Sequence, residues 1–213
     1  DGNIWGGEFL IADYGGYERV AHLPYFPLAG GDAATKRPLR TALGLLWQLG
    51  IEWDEYFPPI QDLCSEERVA LRVQLEKKIN TPMTPSMGRF FDAAAALAGV
   101  RQRVNYEAQA AIEYEALAVD NEVGQYDFGG KQAQIQVRHG ILSLLKDMHN
   151  NIPTPIISAK FHNGIVQMVL DVCISLREKS GLNTVALSGG VWQNMILLRR
   201  TMKALRDENF EIL

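Results

Sequence analysis

The sequence predicts an α/β fold, rich in helix through its middle and closed by a C-terminal βαβ unit. Three observations carry that prediction. Of the 213 residues 47% are hydrophobic, enough to fill the core of one compact unit spanning residues 1–213. Between residues 65 and 181 the apolar side chains recur at helical spacing, segment after segment. Residues 184–213 then run strand, glycine turn, helix, strand, the order of an α/β unit.

The opening stretch IWGGEFLIADYGGYERVAHLPYFPL (4–28) alternates apolar and polar residues and carries glycines at turn-like intervals. It predicts a β-hairpin or meander with Gly15-Gly16 as the turn. Gly30-Gly31-Asp32 is a second glycine turn, with Asp32 placed to cap a helix over RPLRTALGLLWQLG (37–50). Residues 53–63 are aromatic and proline-rich and read as a loop. A helix follows over 65–79, capped by Ser65, with Glu66 and Glu67 in its first turn. Helical periods continue over 86–100, ending on Gly99, and over 106–118, 132–150 and 158–181, where Lys-Ser-Gly is the stop. A short strand over 184–187, a helix over 191–207 and a strand from Phe210 complete the chain.

Composition narrows the function. A net charge of -4 and a pI near 5.6 argue against a nucleic-acid-binding surface, while leaving room for a small anionic ligand held by a few local donors. Cys64 and Cys173 share no metal-type spacing; Cys173 lies in the apolar run VLDVCISL and reads as a buried small hydrophobe. Neither a signal peptide nor an apolar run of membrane-spanning length is found, so a cytoplasmic protein that does not enter a membrane is expected. The absence of an initiating methionine, and the strand-like final residues, predict an excised piece of a longer protein.

The densest chemistry lies in VALSGGVWQN (185–194). A strand that ends in Ser188-Gly189-Gly190 before a helix is either an ordinary tight turn or a backbone cradle for an anion at the positive end of the helix dipole. Asn194, one turn into the expected helix, is placed to hydrogen-bond a ribose or base edge. In NTPMTPSMGRFFDA (80–93), Ser86 is the predicted cap of a helix that puts Gly88 and Asp92 on one face. That pair reads either as a packing glycine beside an exposed acid or as a site for both ribose hydroxyls. Glu107 falls in an expected first helical turn, with Glu113 and Glu115 further on; such acids serve the helix dipole as readily as catalysis. The histidines His22, His139, His149 and His162 share no ligand spacing, and His162 in KFHN admits a structural or a functional role.

Taken together, DGNIWGGEFL, HLPYFPLAGGDAATKRP, NTPMTPSMGRFFDAAAALAGV, NYEAQAAIEYEAL, KFHN and VALSGGVWQN occur in an order that resembles the C-terminal transferase region of the HypF carbamoyltransferases. The resemblance runs the length of the chain and is weakest around 51–75 and 122–157. It implies part of the actin/sugar-kinase/Hsp70-like ATPase fold, shared with the TsaD-type tRNA threonylcarbamoyl transferases and with TobZ. It also implies that carbamoyl phosphate and ATP yield carbamoyl-adenylate in another domain. The carbamoyl group then passes to the C-terminal cysteine of HypE, toward the cyanide ligands of nickel–iron hydrogenases. Under the resemblance Ser188, Gly189, Gly190 and Asn194 form the nucleotide-contacting loop, and Gly88 and Asp92 the ribose-contacting helix. No catalytic triad is visible or required, because a mixed anhydride is already activated and the thiolate comes from the partner.

The same resemblance places the ligands of a divalent metal outside the chain, a histidine pair before Asp1 and an aspartate beyond Leu213. The chain alone is therefore expected to hold no metal and to be inactive. Position 108 is alanine where the family motif carries glycine. Two other readings fit the same residues: a TobZ-like small-molecule O-carbamoyltransferase, or a non-catalytic docking piece.

Overall fold

A hairpin forms where alternation and glycine place it. In the computed structural model, which describes residues 3–130 and 134–213, β1 (Glu8–Asp13) pairs antiparallel with β2 (Gly16–His22). The turn is Tyr14-Gly15, one residue earlier than expected, because the Asp13 carboxylate accepts from the amides of Gly15 (2.7 Å) and Gly16 (3.1 Å). The Arg19 guanidinium pins the hairpin base, donating to the Tyr25 hydroxyl (2.7 Å) and Glu8 (3.0 Å) while lying 4.3 Å over the Trp5 ring.

Strand β3 (Phe26–Pro27) pairs antiparallel with β4 (Met83–Thr84). The Gly30-Gly31 turn leads into a short α1 (Asp32–Lys36), so Asp32 opens that turn of helix instead of capping the next. Helix α2 (Pro38–Gln48) starts on its own proline, whose missing N–H would have had no partner there. One turn of helix, α3 (Pro58–Gln61), sits in the proline-rich segment, and α4 (Ser65–Glu76) has Cys64 at its N-cap, with Ser65 already helical. The Ser86 cap of α5 (Met87–Leu97) forms as expected, its hydroxyl accepting from the Arg89 amide at 3.4 Å. Then come α6 (Gln109–Leu117), α7 (Arg138–His149) and α8 (Thr154–Ser180), which stops at Gly181 in the left-handed region. Strand β5 (Thr184–Val185), a 3-10 turn (Gly190–Gln193), α9 (Met195–Asp207) and β6 (Glu211–Ile212) follow, with β5 and β6 parallel.

Four helix starts differ from expectation. Helix α8 begins at Thr154, four residues before the expected start, with Pro155 in its first turn. Helix α6 begins at Gln109 because Ala108 lies in the left-handed region (φ +60), which leaves Glu107 outside the first turn. Of the helix expected over 132–150, residues 132 and 133 lie outside the described residues, Gln134 bridges to His22, and regular helix begins only at Arg138. Helix α9 begins at Met195, since the preceding VWQ forms the tighter 3-10 turn.

The core joins these parts around two contacts. Helix α2 packs Leu39, Leu43 and Leu46 against α5, whose Ala93–Ala96 run lets the helices approach closely. Helix α8 then packs against α6, α7 and α9, and Phe161 in its third turn reaches α5. The Phe161 ring lies 5.3 Å from Phe90, 5.1 Å from Phe91, 5.3 Å from Phe128 and 5.7 Å from Tyr114. Phe128 reaches that cluster because Gly164 admits the chain beside it: a Cβ at Gly164 would stand 2.3 Å from the Tyr126 carbonyl oxygen. Gly164→Ala should therefore lower the unfolding free energy by about 2–3 kcal/mol, measured by urea titration. A loss under about 0.5 kcal/mol would contradict this packing.

Candidate functional site

The glycine loop is open. Ser188, Gly189 and Gly190 are all exposed, and no protein atom lies within 4 Å of where a Cβ would stand at either glycine. Gly189 needs its freedom for φ +98, whereas neither internal packing nor a positive φ requires glycine at position 190. Among the described residues, the amides of both glycines make no hydrogen bond. The loop thus offers free donors and unobstructed backbone.

The helix behind it offers none, contrary to the dipole cradle expected from sequence. Asn194 is the N-cap of α9, not a residue one turn inside it, and its Oδ1 accepts from the Leu197 amide at 2.8 Å. The Glu115 carboxylate, reaching across from α6, accepts from the amides of Met195 (2.6 Å) and Ile196 (3.1 Å). The Asn194 amide itself donates to the Val191 carbonyl at 3.1 Å. All four amides that a helix start leaves orphaned are satisfied by the protein itself, so an anion cannot be held by this helix end without displacing Glu115.

Asn194 is oriented from below by His162. The His162 Nδ1–H donates to the Ser158 carbonyl (2.8 Å), which leaves Nε2 to accept from the Asn194 side-chain amide (2.9 Å). The imidazole is fully buried, 5.2 Å from the Phe91 ring and 5.8 Å from that of Tyr114. Burial lowers its pKa to about 4, with the Ser158 carbonyl opposing the shift and the Arg200 charge adding to it. His162 is neutral at physiological pH and structural, one of the two roles left open by sequence.

Asp92 follows Phe91 on α5 and is buried as well, its carboxylate 2.9 Å from the Arg89 guanidinium. Burial raises its pKa to about 6; Arg89 opposes the rise and the charge of Glu107 adds to it. Asp92 is therefore neither the exposed acid nor a freely presented ribose ligand. Gly88, on the same helix, is half-buried with only the Ser86 hydroxyl within 4 Å of its would-be Cβ, at an ordinary 3.8 Å.

Beside Arg89 lies a cleft of about 690 Å³ that sequence reasoning missed. Its walls include Gly31, Asp32 and Lys36 from α1 and its turn, Ser86 and Arg89 from the start of α5, and Asn105, Tyr106 and Glu107. Among the described residues Lys36 forms no ion pair, so its ammonium is available to an occupant. Helix α5 joins the two features: it supplies Arg89 to the cleft and packs against the 3-10 turn that leaves the glycine loop. Signals for the cleft were present only as separate fragments, the Gly-Gly-Asp turn and the KRP that follows it.

Among the described residues no three His, Cys, Asp or Glu side chains converge on a point. The buried candidates already have partners: His162 with Ser158 and Asn194, Asp92 with Arg89, Glu115 with two amides. These residues do not fit a divalent metal. Glu113 is held by Arg101 at 2.6 Å and by Gln109. Cys64 and Cys173 are free thiols, and burial pushes that of Cys173 up to about 11. No helix of the described residues is long and apolar enough to cross a membrane.

Comparison with known proteins gives a consistent picture. A family model described as carbamoyltransferase, Kae1-like domain, second subdomain, matches residues 1–213. The carbamoyltransferase HypF of a Synechocystis species is 36% identical over 99% of this chain and 29% of its own length. The probable carbamoyltransferase HypF of Methanocaldococcus jannaschii is 32% identical over all of this chain and 28% of its own. The chain thus spans less than a third of these relatives. A crystal structure of full-length HypF in a phosphate- and nucleotide-bound form matches with a TM-score of 0.89 and 38% identity, over 99% of this chain and 28% of that one. The HypF of T. kodakarensis matches with a TM-score of 0.80 and 29% identity, over 100% and 29% of the two chains. Both similarities place this chain in the same mixed α/β, helix-rich fold.

Two measurements check the geometry. Ala108→Gly should raise stability by about 0.5–1 kcal/mol, because glycine removes the left-handed strain at φ +60; a destabilised variant in thermal unfolding would contradict that conformation. Proton linkage checks Asp92. Its folded pKa near 6 lies above the unfolded value of about 3.9, so its contribution to stability is full below pH 4 and is lost as pH rises through 6. His162 works in the opposite direction over the same window, since its stabilisation is lost as pH falls from about 6.5 to 4. Relative to the parent, Asp92→Asn should gain up to about 3 kcal/mol between pH 4 and pH 6.5. A variant-minus-parent difference that stays flat with pH would show that Asp92 is not held in this environment.

Proposed function

The chain belongs to the HypF carbamoyltransferase family, and from that membership we propose that it forms part of a carbamoyltransferase site for carbamoyl-adenylate. The observation that carries the reading is α5, which borders the cleft holding Lys36 and Arg89, alongside Asp32 and Glu107, and also contacts the turn after the open glycine loop. A nucleotide laid along α5 would meet the free amides and uncovered backbone of Gly189-Gly190. Its phosphate would face Lys36 and Arg89. Gly88 and Ser188 are then close-approach positions, and Asp92 acts through Arg89, which it orients.

In the reaction proposed, a thiolate adds to the carbamoyl carbon and the carbon–oxygen bond to phosphate breaks. AMP departs with the bonding pair, and a thiocarbamate remains on the acceptor. Cations at the phosphate oppose the charge that grows on AMP as it leaves. The acceptor in this reading is the C-terminal cysteine of HypE, and the product feeds cyanide-ligand synthesis in nickel–iron hydrogenase maturation. Carbamoyl phosphate and ATP are the ultimate substrates. The reading also includes a cytoplasmic setting and an actin/sugar-kinase/Hsp70-like ATPase fold, to which this chain contributes one part of the C-terminal transferase region. In this reading a divalent metal is held by residues outside the chain.

Gly190→Val tests the reading cleanly, because a side chain there meets nothing in the protein and needs no unusual φ. Isothermal titration of the intact protein with AMP should show at least tenfold weaker binding for Gly190→Val, with the unfolding midpoint unmoved. Lys36→Ala should weaken AMP more than adenosine. Equal AMP affinity in Gly190→Val and parent, or no AMP binding by the parent, would refute the nucleotide site.

A further inference from the structure

Between its ends the glycine loop has little to hold it. Over residues 188–193 the backbone is held by the short 3-10 turn and the bonds at its ends, from the Trp192 amide to the Gly189 carbonyl (3.3 Å) and from the Asn194 amide to the Val191 carbonyl (3.1 Å). Its entry is set by β5, paired with β6. Its exit is set by residues 194–196, and there two other helices take hold: α8 through His162 and α6 through Glu115.

The Glu115 contact is more than helix α9 needs for its own sake. Asn194 already supplies the side-chain cap, and Met195 is half exposed, so water could satisfy its amide. What the carboxylate adds is position: it fixes the first turn of α9 against α6, eighty residues earlier in the chain. Helix α6 is itself immobilised beside Glu115, since the Tyr114 carbonyl accepts from the buried Ser158 hydroxyl and the Tyr114 ring packs on His162. Its other end starts directly after Asn105, Tyr106 and Glu107, which line the cleft. From Gln109 to Glu115 is about 9 Å along the helix axis. One rigid element therefore touches the cleft with one end and the exit of the glycine loop with the other.

We propose that Glu115 is a positioning residue that sets the glycine loop in register with the cleft, so that both can engage one ligand. The claim rests on the nucleotide reading above for the ligand, though not for the mechanical role. It is tested in the intact protein with Glu115→Ala, Glu115→Gln and, as a control on the exposed far end of α9, Asp207→Ala. Hydrogen exchange reads loop order, and calorimetric titration with AMP reads affinity. Glu115→Ala should speed exchange over residues 188–197 at least tenfold while α8 keeps its protection, and should raise the AMP Kd about five- to tenfold. Glu115→Gln, which keeps an acceptor oxygen, should recover most of both effects, and Asp207→Ala should change neither. Unchanged exchange in Glu115→Ala overturns the proposal. So does faster exchange with unchanged AMP affinity, which would make Glu115 a helix cap with no influence on the site. If the parent binds no AMP, the nucleotide reading fails on its own, and exchange over 188–197 then decides the positioning role.

Discussion

One buried imidazole sets much of this structure. His162 sits among Phe91, Tyr114 and Phe161, where a charge would be costly, and burial keeps it neutral. A neutral imidazole has one donor and one acceptor, and the Ser158 carbonyl claims the donor. The remaining lone pair on Nε2 can only accept, which turns the Asn194 amide so that its nitrogen faces down and its oxygen faces the start of α9. A choice of tautomer in the core thereby becomes the orientation of a helix cap near the surface. The ring contacts extend the same control to α5 through Phe91 and to α6 through Tyr114.

Much of this was legible in the sequence, and the misses have physical reasons. The hairpin, the Ser86 cap, the Gly181 stop and the closing βαβ unit all rest on local signals: alternation, a hydroxyl before a helix, a glycine after one. Where a residue departs from its usual conformation, local signals fail. Nothing about alanine announces φ +60, so helical periodicity runs straight through Ala108. Val191 and Trp192 continue the apolar period of the helix behind them, and periodicity does not separate a 3-10 turn from an α-helix; this moved Asn194 from cap to interior. The cleft and the Glu115 clamp were invisible for a different reason. Lys36, Arg89 and Glu107 meet only through tertiary structure, as do Glu115 and Met195.

The clamp also changes where negative charge can be held. A glycine loop before a helix suggests phosphate at the helix dipole. Here Glu115 already neutralises that end, and a second anion beside it would be repelled. The cations that could receive a phosphate lie instead in the cleft, as Lys36 and Arg89. Arg89 is not wholly free, since it faces the buried carboxylate of Asp92. Because burial brings that carboxyl close to half-protonation near pH 6, the pull of Asp92 on Arg89 weakens as pH falls. The charge left on Arg89 for an occupant of the cleft is thus set from inside the core. The glycine loop, with its backbone uncovered and the helix behind it neutralised, is better matched to an uncharged group than to a phosphate.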